Sequence, residues 1–421
     1  MRGDQLNSRR LPNFSGIVAV VFLAILALSP RPAFGGKKKD LASAAETKQA
    51  RVAFDIDKIV WPNPPAVARI RFQQIFTGQK IDWAAFDKGK QKPKQKWMDR
   101  LAGTKPDSQI DMSKIPFQLI RTNGVAVDSE GNIYAADQGV AAIFIFNANT
   151  KDVQMIRNGK EARFGLVNGL AIDDNDRLFV TDAKLREVLI FNSKHQEEGA
   201  FGADVLGNPG GVAIDTENRF LYVVDTANDV VDVFDADSFK LLRKIGVAGK
   251  KHTLTDPGTF SLPTNVAVDD DGNVYVTDTL NARVEIFDAD GTFLSQFGKR
   301  GDGAWQFDRP KGIAVDCDGH IWVVDAAQDR VKVFNREGRL LIYFGEHGTY
   351  PGQFSDAYGI AIDKRNRVIT SEQYPGRVQM FKYVSDAEFE QAKAQRDQPK
   401  PTAAQEVKTS ASAQVQSSAA H

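Results

Sequence analysis

The sequence predicts an all-β fold in which one four-stranded unit is repeated six times around a central axis. A short apolar segment that ends in aspartate recurs, and successive aspartates are 45, 42, 54, 47 and 47 residues apart. Each copy is rich in β-branched residues and is followed by a turn, which favours a strand over a helix. Four strands per repeat of about 40–50 residues are typical of propeller blades. The segments are Gly124–Asp128, Gly169–Asp173, Gly211–Asp215, Asn265–Asp269, Gly312–Asp316 and Gly359–Asp363.

Further strands follow each of these segments. A second run ends in an acid, a third ends in phenylalanine, and a fourth is clearest in residues 292–298 and 339–345. The first run is continuously apolar, which is expected if neighbouring blades cover both of its faces. Its central alanine is expected to fit where the sheets crowd at the axis. The acids are Asp137, Asp182, Asp225, Asp278, Asp325 and Glu372, and the phenylalanines are Phe146, Phe191, Phe234, Phe287, Phe334 and Phe381.

The propeller is predicted to be closed by a strand from its N-terminal side. Residues 118–384 contain the repeats, but no good fourth strand follows Phe381. Residues 67–78 match the fourth-strand pattern, and the segment 61–80 is predicted to fill that outer position, which would remove the open edge of the ring. Residues 81–117 are predicted to form a small, partly helical cap insertion. Residues 385–421 are predicted to form a short helix and then a disordered tail, because few bulky apolar residues remain.

The N-terminal residues predict export from the cytoplasm. Two arginines precede a run of 12 apolar residues, Ile17–Leu28, and small residues follow near Gly35. This pattern is typical of a signal peptide, and the run is shorter than the roughly 20 residues that span a membrane. We expect a signal peptide in residues 1–35, a linker in residues 36–60, and a secreted, periplasmic or cell-envelope protein without a transmembrane span after signal removal. An uncleaved anchor is the alternative.

Charge and cysteine content limit the classes of partner and site. The 54 basic and 54 acidic residues balance, so no global field steers the chain onto nucleic acid. Arg300, Trp305 and Arg309 could form part of a modest basic sector, but nucleic acid is not expected as the partner of an exported chain. Cys317 is the only cysteine, which excludes an internal disulfide and a cysteine-based metal cluster.

The repeats resemble the NHL repeat. Residues 312–334 combine Gly-Ile-Ala-Val-Asp, an Asp-Gly turn, Ile-Trp-Val-Val-Asp and a final Arg-Val-x-Val-Phe, and residues 265–287 follow the same pattern. The resemblance covers about residues 118–383 and implies a six-bladed NHL-type β-propeller. The opening Trp61–Pro65 is similar to that of exported bacterial NHL proteins. NHL propellers include RNA binders, protein-binding sensor domains, an amidating lyase and envelope proteins, so the resemblance implies a fold more than a function.

The residue just before each innermost strand is predicted to line the mouth of the central channel. These residues are Asn123, Asn168, Gly210, Thr264, Lys311 and Tyr358. The set is polar and differs from blade to blade, which suits a protein, a peptide or a small polar ligand. It contains no carboxylate and lacks the groups that catalysis would need. The sequence therefore predicts a binding or scaffolding module, with no catalytic residue and no cofactor.

Residues that recur in every blade are interpreted as structural. The aspartates that end the first segments are expected to accept backbone amides of the following turn, as in an Asx-turn. The acids that end the second runs are expected to pair between strands with basic residues such as Arg283, Arg330 and Arg377, which begin the third strands. Ion pairs of this kind occupy clefts without taking part in function.

Two alternatives to a binding module stay open. The first is a metal-dependent, lactonase-like hydrolase or amidating-type lyase that would use calcium or zinc. The mouth positions lack the carboxylates that hard cations prefer. His195, His252, His320 and His347 fall on outer strands, loops or turns, away from the expected zinc-ligand positions. The second alternative is a structural envelope protein whose insertion, Ile81–Phe117, docks on a membrane or a partner complex.

Metal analysis of the purified mature protein tests the first alternative. We expect mass spectrometry to find no stoichiometric calcium or zinc, because the predicted mouth supplies neither a carboxylate nor a histidine ligand set. One equivalent of either metal per chain, together with lactone or amide turnover that chelation abolishes, would establish the enzyme instead.

Overall fold

The computed structural model describes residues 55–80, 117–247 and 256–397, all of which belong to the compact unit Phe54–His421. The predicted signal peptide, most of the linker, nearly all of the cap insertion and the predicted disordered tail lie outside the described residues. No helix in the described ranges is long and apolar enough to cross a membrane.

The described chain forms six sheets, which are the blades of a six-bladed β-propeller, as the sequence predicts. A 3-10 helix, Ile56–Lys58, and strands β1 (Val60–Trp61) and β2 (Ile70–Phe76) come first. Blade 1 contains β3 (Thr122–Val127), β4 (Asn132–Asp137), β5 (Ala142–Asn147) and β6 (Val153–Arg157). Blade 2 contains β7 (Val167–Ile172), β8 (Leu178–Asp182), β9 (Glu187–Phe191) and β10 (Glu197–Phe201). Blade 3 contains β11 (Pro209–Asp215), β12 (Phe220–Asp225), β13 (Val230–Asp235) and β14 (Leu241–Ile245).

The second half of the ring repeats this arrangement. Blade 4 contains β15 (Pro263–Val268), β16 (Val274–Asp278), β17 (Arg283–Phe287) and β18 (Phe293–Phe297). Blade 5 contains β19 (Pro310–Val315), β20 (Ile321–Asp325), β21 (Arg330–Phe334) and β22 (Leu340–Phe344). Blade 6 begins with β23 (Ala357–Ile362), β24 (Arg367–Glu372) and β25 (Arg377–Tyr383), after which helix α1 spans Asp386–Asp397.

Blade 6 is completed by the strand from the N-terminal side of the propeller. β2 pairs antiparallel with β25, with Phe72 opposite Phe381, and β1 pairs with β2. The strand order of this sheet is therefore β1-β2-β25-β24-β23. β2 thus occupies the outer position that the sequence predicts for the closing strand.

The hydrophobic core lies between the blades. Each of six clusters of buried apolar residues draws on two neighbouring blades. Between blades 5 and 6, for example, the Trp322 ring packs edge-on against the Tyr383 ring with their centroids 5.2 Å apart. Since both faces of each inner strand are covered, these strands need continuous rather than alternating apolar residues.

Glycine allows the innermost strands to approach one another closely. A Cβ atom at Gly124 would lie 2.5 Å from the Asn168 carbonyl oxygen of blade 2, and one at Gly359 would lie 2.6 Å from the Asn123 carbonyl oxygen of blade 1. The same relation to the following blade holds in blades 2 and 5. Blade 4 carries Asn265 at this position. A side chain at the other positions would push neighbouring blades apart.

In alternate blades, a hydroxyl group ties the second strand to the next blade. Thr181 in blade 2 donates to the Gly210 carbonyl oxygen at 2.5 Å, and Thr277 in blade 4 donates to the Lys311 carbonyl oxygen at 2.7 Å. Ser371 in blade 6 bonds in the same way to the inner strand of blade 1. Blades 1, 3 and 5 have alanine or valine at this position.

The predicted role of the turn aspartates is confirmed. Asp128 accepts the backbone amide of Asn132 at 2.7 Å, and Asp363 accepts that of Arg367 at 2.8 Å. Blades 2, 4 and 5 repeat this bond, and in blade 3 Asp215 accepts the amide of Asn218, three residues on. These aspartates fix the turns between the first and second strands.

Substitution of Gly124 by alanine tests the close approach of the blades. Gly124→Ala should lower the free energy of unfolding by about 1–3 kcal/mol, because the new methyl group overlaps the backbone of blade 2. Gly199→Ala is the matched control, since a Cβ there meets nothing within 4 Å. Urea unfolding should leave the control unchanged or slightly stabilised. Equal losses in both variants would contradict the steric explanation.

Candidate functional site

The acids at the ends of the second strands hold the loops that lead into the innermost strands, here called lead-in loops. Asp225 accepts the backbone amides of Gly207 and Asn208 at 2.7 and 2.9 Å. The same bond from the lead-in loop is made to Asp137, Asp182, Asp278, Asp325 and Glu372. These carboxylates therefore fix the position of the loops around the channel mouth.

The predicted pairing of these acids with arginine occurs in two blades and is wrong in a third. Arg283 and Arg377 form ion pairs with the acid of their own blade at 2.8 and 2.7 Å. In blade 5, the buried Lys332 pairs with Asp325 at 3.2 Å, and the Arg330 guanidinium instead lies over an aromatic ring of the outer strand. Two cations at one buried carboxylate would repel each other, so Lys332 excludes Arg330 from this site.

Burial and hydrogen bonding have opposite effects on these carboxyl groups. Burial raises the pKa of Asp225, but the amide donors of Gly207 and Asn208 outweigh it, so this pKa lies below its ordinary value of 3.8. For Asp278 and Glu372 burial is the larger effect, and the pKa of each is raised despite its arginine partner. The same position in the repeat therefore has a different electrostatic environment in different blades.

Two predicted mouth residues belong to a chain of side-chain amides that crosses three blades. Gln373 donates to Asn123 at 2.7 Å, and Asn123 donates to Asn168 at 2.7 Å. Gln138 also donates to Asn168, at 3.2 Å. Sequence reasoning misses Gln138 and Gln373. The available signal is that each directly follows a strand-end acid, at a position where the other blades have alanine or threonine.

Two other predicted positions serve the structure. The Thr264 hydroxyl is buried and lies 2.8 Å from the Thr279 hydroxyl, which in turn donates to the Pro310 carbonyl oxygen at 2.7 Å. Gly210 is buried and offers no side chain. These positions therefore contribute to the contacts between blades 3, 4 and 5, while blades 5, 6, 1 and 2 supply the polar groups of the mouth.

The remaining predicted residues, Lys311 and Tyr358, lie together. The Lys311 ammonium is 4.7 Å from the centre of the Tyr358 ring and 3.3 Å from the Asp356 carboxylate. Burial lowers the pKa of Lys311, Asp356 opposes this effect, and the charges of Arg309 and Arg121 add to the lowering. Burial raises the pKa of Tyr358 to about 12. The mouth therefore contains a partly desolvated amine beside a phenol.

A cavity of about 240 Å³ follows the axis of the ring. Its wall consists of the innermost strands, and Asn265 is the one polar side chain among the described residues that line it. The alanines that the sequence places at the axis, such as Ala126 and Ala314, belong to this wall. Polar chemistry is therefore concentrated at the mouth and not along the channel.

Large apolar side chains are exposed around the mouth. The lead-in loops and the loops between the second and third strands lie at the same end of the blades, which we call the mouth face. Its exposed apolar side chains are Ile120, Leu166, Val247, Leu262, Leu280, Trp305, Tyr350 and Tyr374. In the described part of the chain, the turns at the opposite face carry no exposed large apolar side chain.

A second cavity, of about 490 Å³, lies on the outside of the ring near α1. Its lining includes Arg69, His320, Tyr383 and Asp386. These polar groups already satisfy one another, since Arg69 pairs with Asp386 and donates to the Tyr383 hydroxyl, which lies 3.2 Å from the His320 ring. The side chains that line this cavity therefore join the chain segments that flank the propeller. For this reason the cavity is a weaker candidate for ligand binding than the mouth.

Histidines and a possible metal-binding group lie away from the mouth. Asp316, Asp318 and His320 have potential ligand atoms within 4.8 Å of one another, but they form the turn of blade 5 at the opposite face. His195 lies in a turn of blade 2, and His347 lies in a lead-in loop, where it pairs with Asp329 at 2.7 Å. His252 lies outside the described residues.

A family comparison agrees with this architecture. Residues 255–331 match DUF5128, a family described as a 6-bladed beta-propeller. The chain is a six-bladed β-propeller. The match covers less than half of the sequence, and it leaves the NHL type of the repeats unconfirmed. No curated protein matches the sequence.

Solved structures share the fold at low sequence identity. A protein of unknown function from Bacteroides thetaiotaomicron is 18% identical with a TM-score of 0.52, over 63% of this chain and 70% of its own. A gluconolactonase from Xanthomonas campestris is 18% identical with a TM-score of 0.49, over 63% and 86%. Virginiamycin B lyase from Staphylococcus aureus is 13% identical with a TM-score of 0.47, over 63% and 95%. These likenesses concern the fold alone.

Substitution of Asp225 tests how the mouth loops are held. Asp225→Asn should lower the free energy of unfolding at pH 7 by about 1.5–3 kcal/mol, because an amide group replaces one oxygen that accepts a backbone N–H. The folded-state pKa lies below 3.8, so the ionised acid stabilises the fold above that pH and loses its effect as the pH falls through the folded-state pKa.

Urea unfolding over a series of pH values measures this effect. The difference between the native protein and Asp225→Asn should shrink below about pH 4. Asp204→Asn, an exposed acid on the same lead-in loop, is the control and should change stability little at any pH. A loss in Asp225→Asn that stays constant down to pH 2 would show that the charge of Asp225 is not what holds the loop.

Proposed function

We propose that this protein is an exported binding module that holds a protein or peptide partner on the mouth face, and that its blades are of the NHL type. The mouth residues Asn123, Asn168, Lys311 and Tyr358 lie at the centre of this face, and the exposed apolar side chains surround them. The predicted signal peptide in residues 1–35 supports a partner outside the cytoplasm.

The distribution of exposed apolar side chains is the observation that carries this proposal. Tyr374 is 70% exposed and Leu280 is 54% exposed, and both lie on loops of the mouth face. Clusters of exposed apolar and aromatic side chains are a recurring mark of protein-binding surfaces. Aromatic side chains are also the commonest energetic anchors of such interfaces. In the described ranges, the turns of the opposite face carry no exposed large apolar side chain that could act as such an anchor.

A polypeptide fits this face better than a small polar ligand does. The side-chain amides of Asn123 and Asn168 are already bonded to each other and to Gln373 and Gln138, so a small ligand would have to compete with these bonds. A small ligand at the centre would also leave the surrounding apolar side chains in water. A bound polypeptide would cover them and gain the free energy of their burial.

The arrangement of the strand-end acids disfavours the alternative of a metal-dependent enzyme. A lactonase-like site on this fold would need carboxylates that point at a cation on the axis. Here each strand-end carboxylate accepts a backbone amide of its own lead-in loop. The acids that could supply such a site are therefore engaged in holding the loops.

Site-specific photo-cross-linking tests the proposal. A photoreactive amino acid replaces either Leu280 or Tyr374 on the mouth face, or either Leu294 or Leu341 on the outer strands, which are 50% and 51% exposed. In intact cells, we expect the two mouth-face positions to cross-link one defined polypeptide, because contact with the partner is made there. The outer-strand positions should not cross-link this polypeptide.

Competition with purified protein separates a specific contact from a chance one. Added native protein should suppress the cross-link, and the double variant Leu280→Ser, Tyr374→Ser should compete at least about tenfold less well, since two interface anchors are lost. The matched double variant Leu294→Ser, Leu341→Ser should compete like the native protein. Cross-links of equal yield at all four positions, or none at the mouth face, would refute binding at this face.

A further inference from the structure

Three basic side chains lie in one sector of the mouth face. Arg121 and Arg309 each stand two residues before a predicted mouth residue, on the lead-in loops of blades 1 and 5, and Lys311 lies at the mouth in blade 5. Both guanidinium groups are close enough for their charges to lower the pKa of Lys311. The three basic groups therefore belong to one sector of the mouth, which joins blades 5, 6 and 1.

The acidic side chains of this sector are already engaged by other groups, as Asp325 is by Lys332 and Glu372 is by Arg377. Asp356 pairs with Lys311 at 3.3 Å, and Asp308 pairs with Arg300 at 3.0 Å. Within the described ranges, Arg121 and Arg309 are exposed, and neither forms a side-chain hydrogen bond or an ion pair. Most basic groups elsewhere on the ring do have such partners, as Arg177 and Arg219 do in blades 2 and 3.

Guanidinium groups without a partner, on the same face as a partly buried amine, form a suitable receptor for a carboxylate. A guanidinium donates two parallel hydrogen bonds to the two oxygens of a carboxylate, and such charge-assisted bonds are among the strongest in proteins. An anion over the mouth would also favour the charged form of Lys311, which burial disfavours. An arriving carboxylate would therefore be stabilised by both guanidinium groups and by the amine.

We infer that the partner held on the mouth face is a polypeptide that presents a carboxylate to Arg121, Arg309 and Lys311 and apolar side chains to the surrounding loops. This inference rests on the proposed function and names the chemistry of its ligand. The carboxylate comes from an acidic side chain or from the C-terminus of the partner, and both present the same two oxygens.

The other class of anionic partner, nucleic acid, fits these observations less well. Ile120, Leu166, Leu262 and Leu280 are exposed aliphatic side chains on this face, and they match apolar side chains of a polypeptide better than a solvated phosphate backbone. Binding to nucleic acid also relies on many basic groups that neutralise successive phosphates. The mouth offers a short cluster instead of such a stripe.

Selection from a random peptide library on the purified full-length protein tests the inference. One arm displays peptides with a free C-terminus, and the other displays them within a loop, so the arms distinguish a terminal from a side-chain carboxylate. We expect enriched peptides to combine apolar residues with aspartate or glutamate, or to need the free C-terminus. The Kd of a synthetic copy should rise about tenfold or more in the variant Arg121→Gln, Arg309→Gln.

The controls separate failure of the inference from failure of the proposed function. Lys364→Gln removes an exposed charge at the opposite face and should leave the Kd unchanged. Peptides that bind without a carboxylate, or whose Kd rises in Leu280→Ser, Tyr374→Ser but not in the arginine variant, would overturn the inference and leave the binding face intact. Failure to enrich any peptide above the level found with Leu280→Ser, Tyr374→Ser would count against the proposed function itself.

A fluorescent single-stranded oligonucleotide serves as the second probe. The inference requires that it bind no more tightly to the native protein than to the arginine variant at physiological salt. Tight binding that the arginine variant abolishes would assign the sector to nucleic acid and overturn the inference. Equal melting temperatures of all variants would show that the exposed arginines do not support the fold.

Discussion

The close approach of the inner strands at the axis is the constraint on which the rest of this structure depends. Where the inner strand contains this glycine, its Cα atom faces the backbone of the next blade at a distance that leaves no room for a side chain. This spacing brings the apolar faces of neighbouring blades together, so the core consists of six separate clusters of buried residues, one between each pair of neighbouring blades. It also narrows the channel, which leaves the loops at the mouth as the place for polar chemistry.

The blades are alike in backbone but not in how they are joined. Hydroxyl groups on the second strands of blades 2, 4 and 6 bond to the next blade, and apolar side chains occupy this position in the other three. The polar side chains of the mouth are also unevenly distributed, with a chain of amides across blades 6, 1 and 2 and the Lys311 ion pair between blades 5 and 6. A backbone of six similar blades thus carries a mouth surface that is not sixfold symmetric.

The sequence was sufficient to predict the features that each blade repeats, because a pattern that occurs six times can be recognised without a structure. The blades, the closing strand and the Asx-turns all follow from patterns within one unit. The partners of Asn123 and Asn168 could not be predicted, since Gln373 and Gln138 reach them across blades. That Lys332 and not Arg330 pairs with Asp325 also could not be predicted, since it depends on which of the two side chains packs between the blades. Exposed apolar residues on loops likewise become recognisable as a set only when the fold places them on one face.

The pairing of β2 with β25 has a consequence for the order of events during synthesis. Phe72 is made early and meets Phe381 only after every intervening blade has emerged. Until then one edge of the ring stays open, and contacts between residues so distant in sequence slow the folding of a chain. This delay suits the proposed export, in which the chain stays unfolded until it has crossed the membrane, because no stable ring can close before its last strand has arrived.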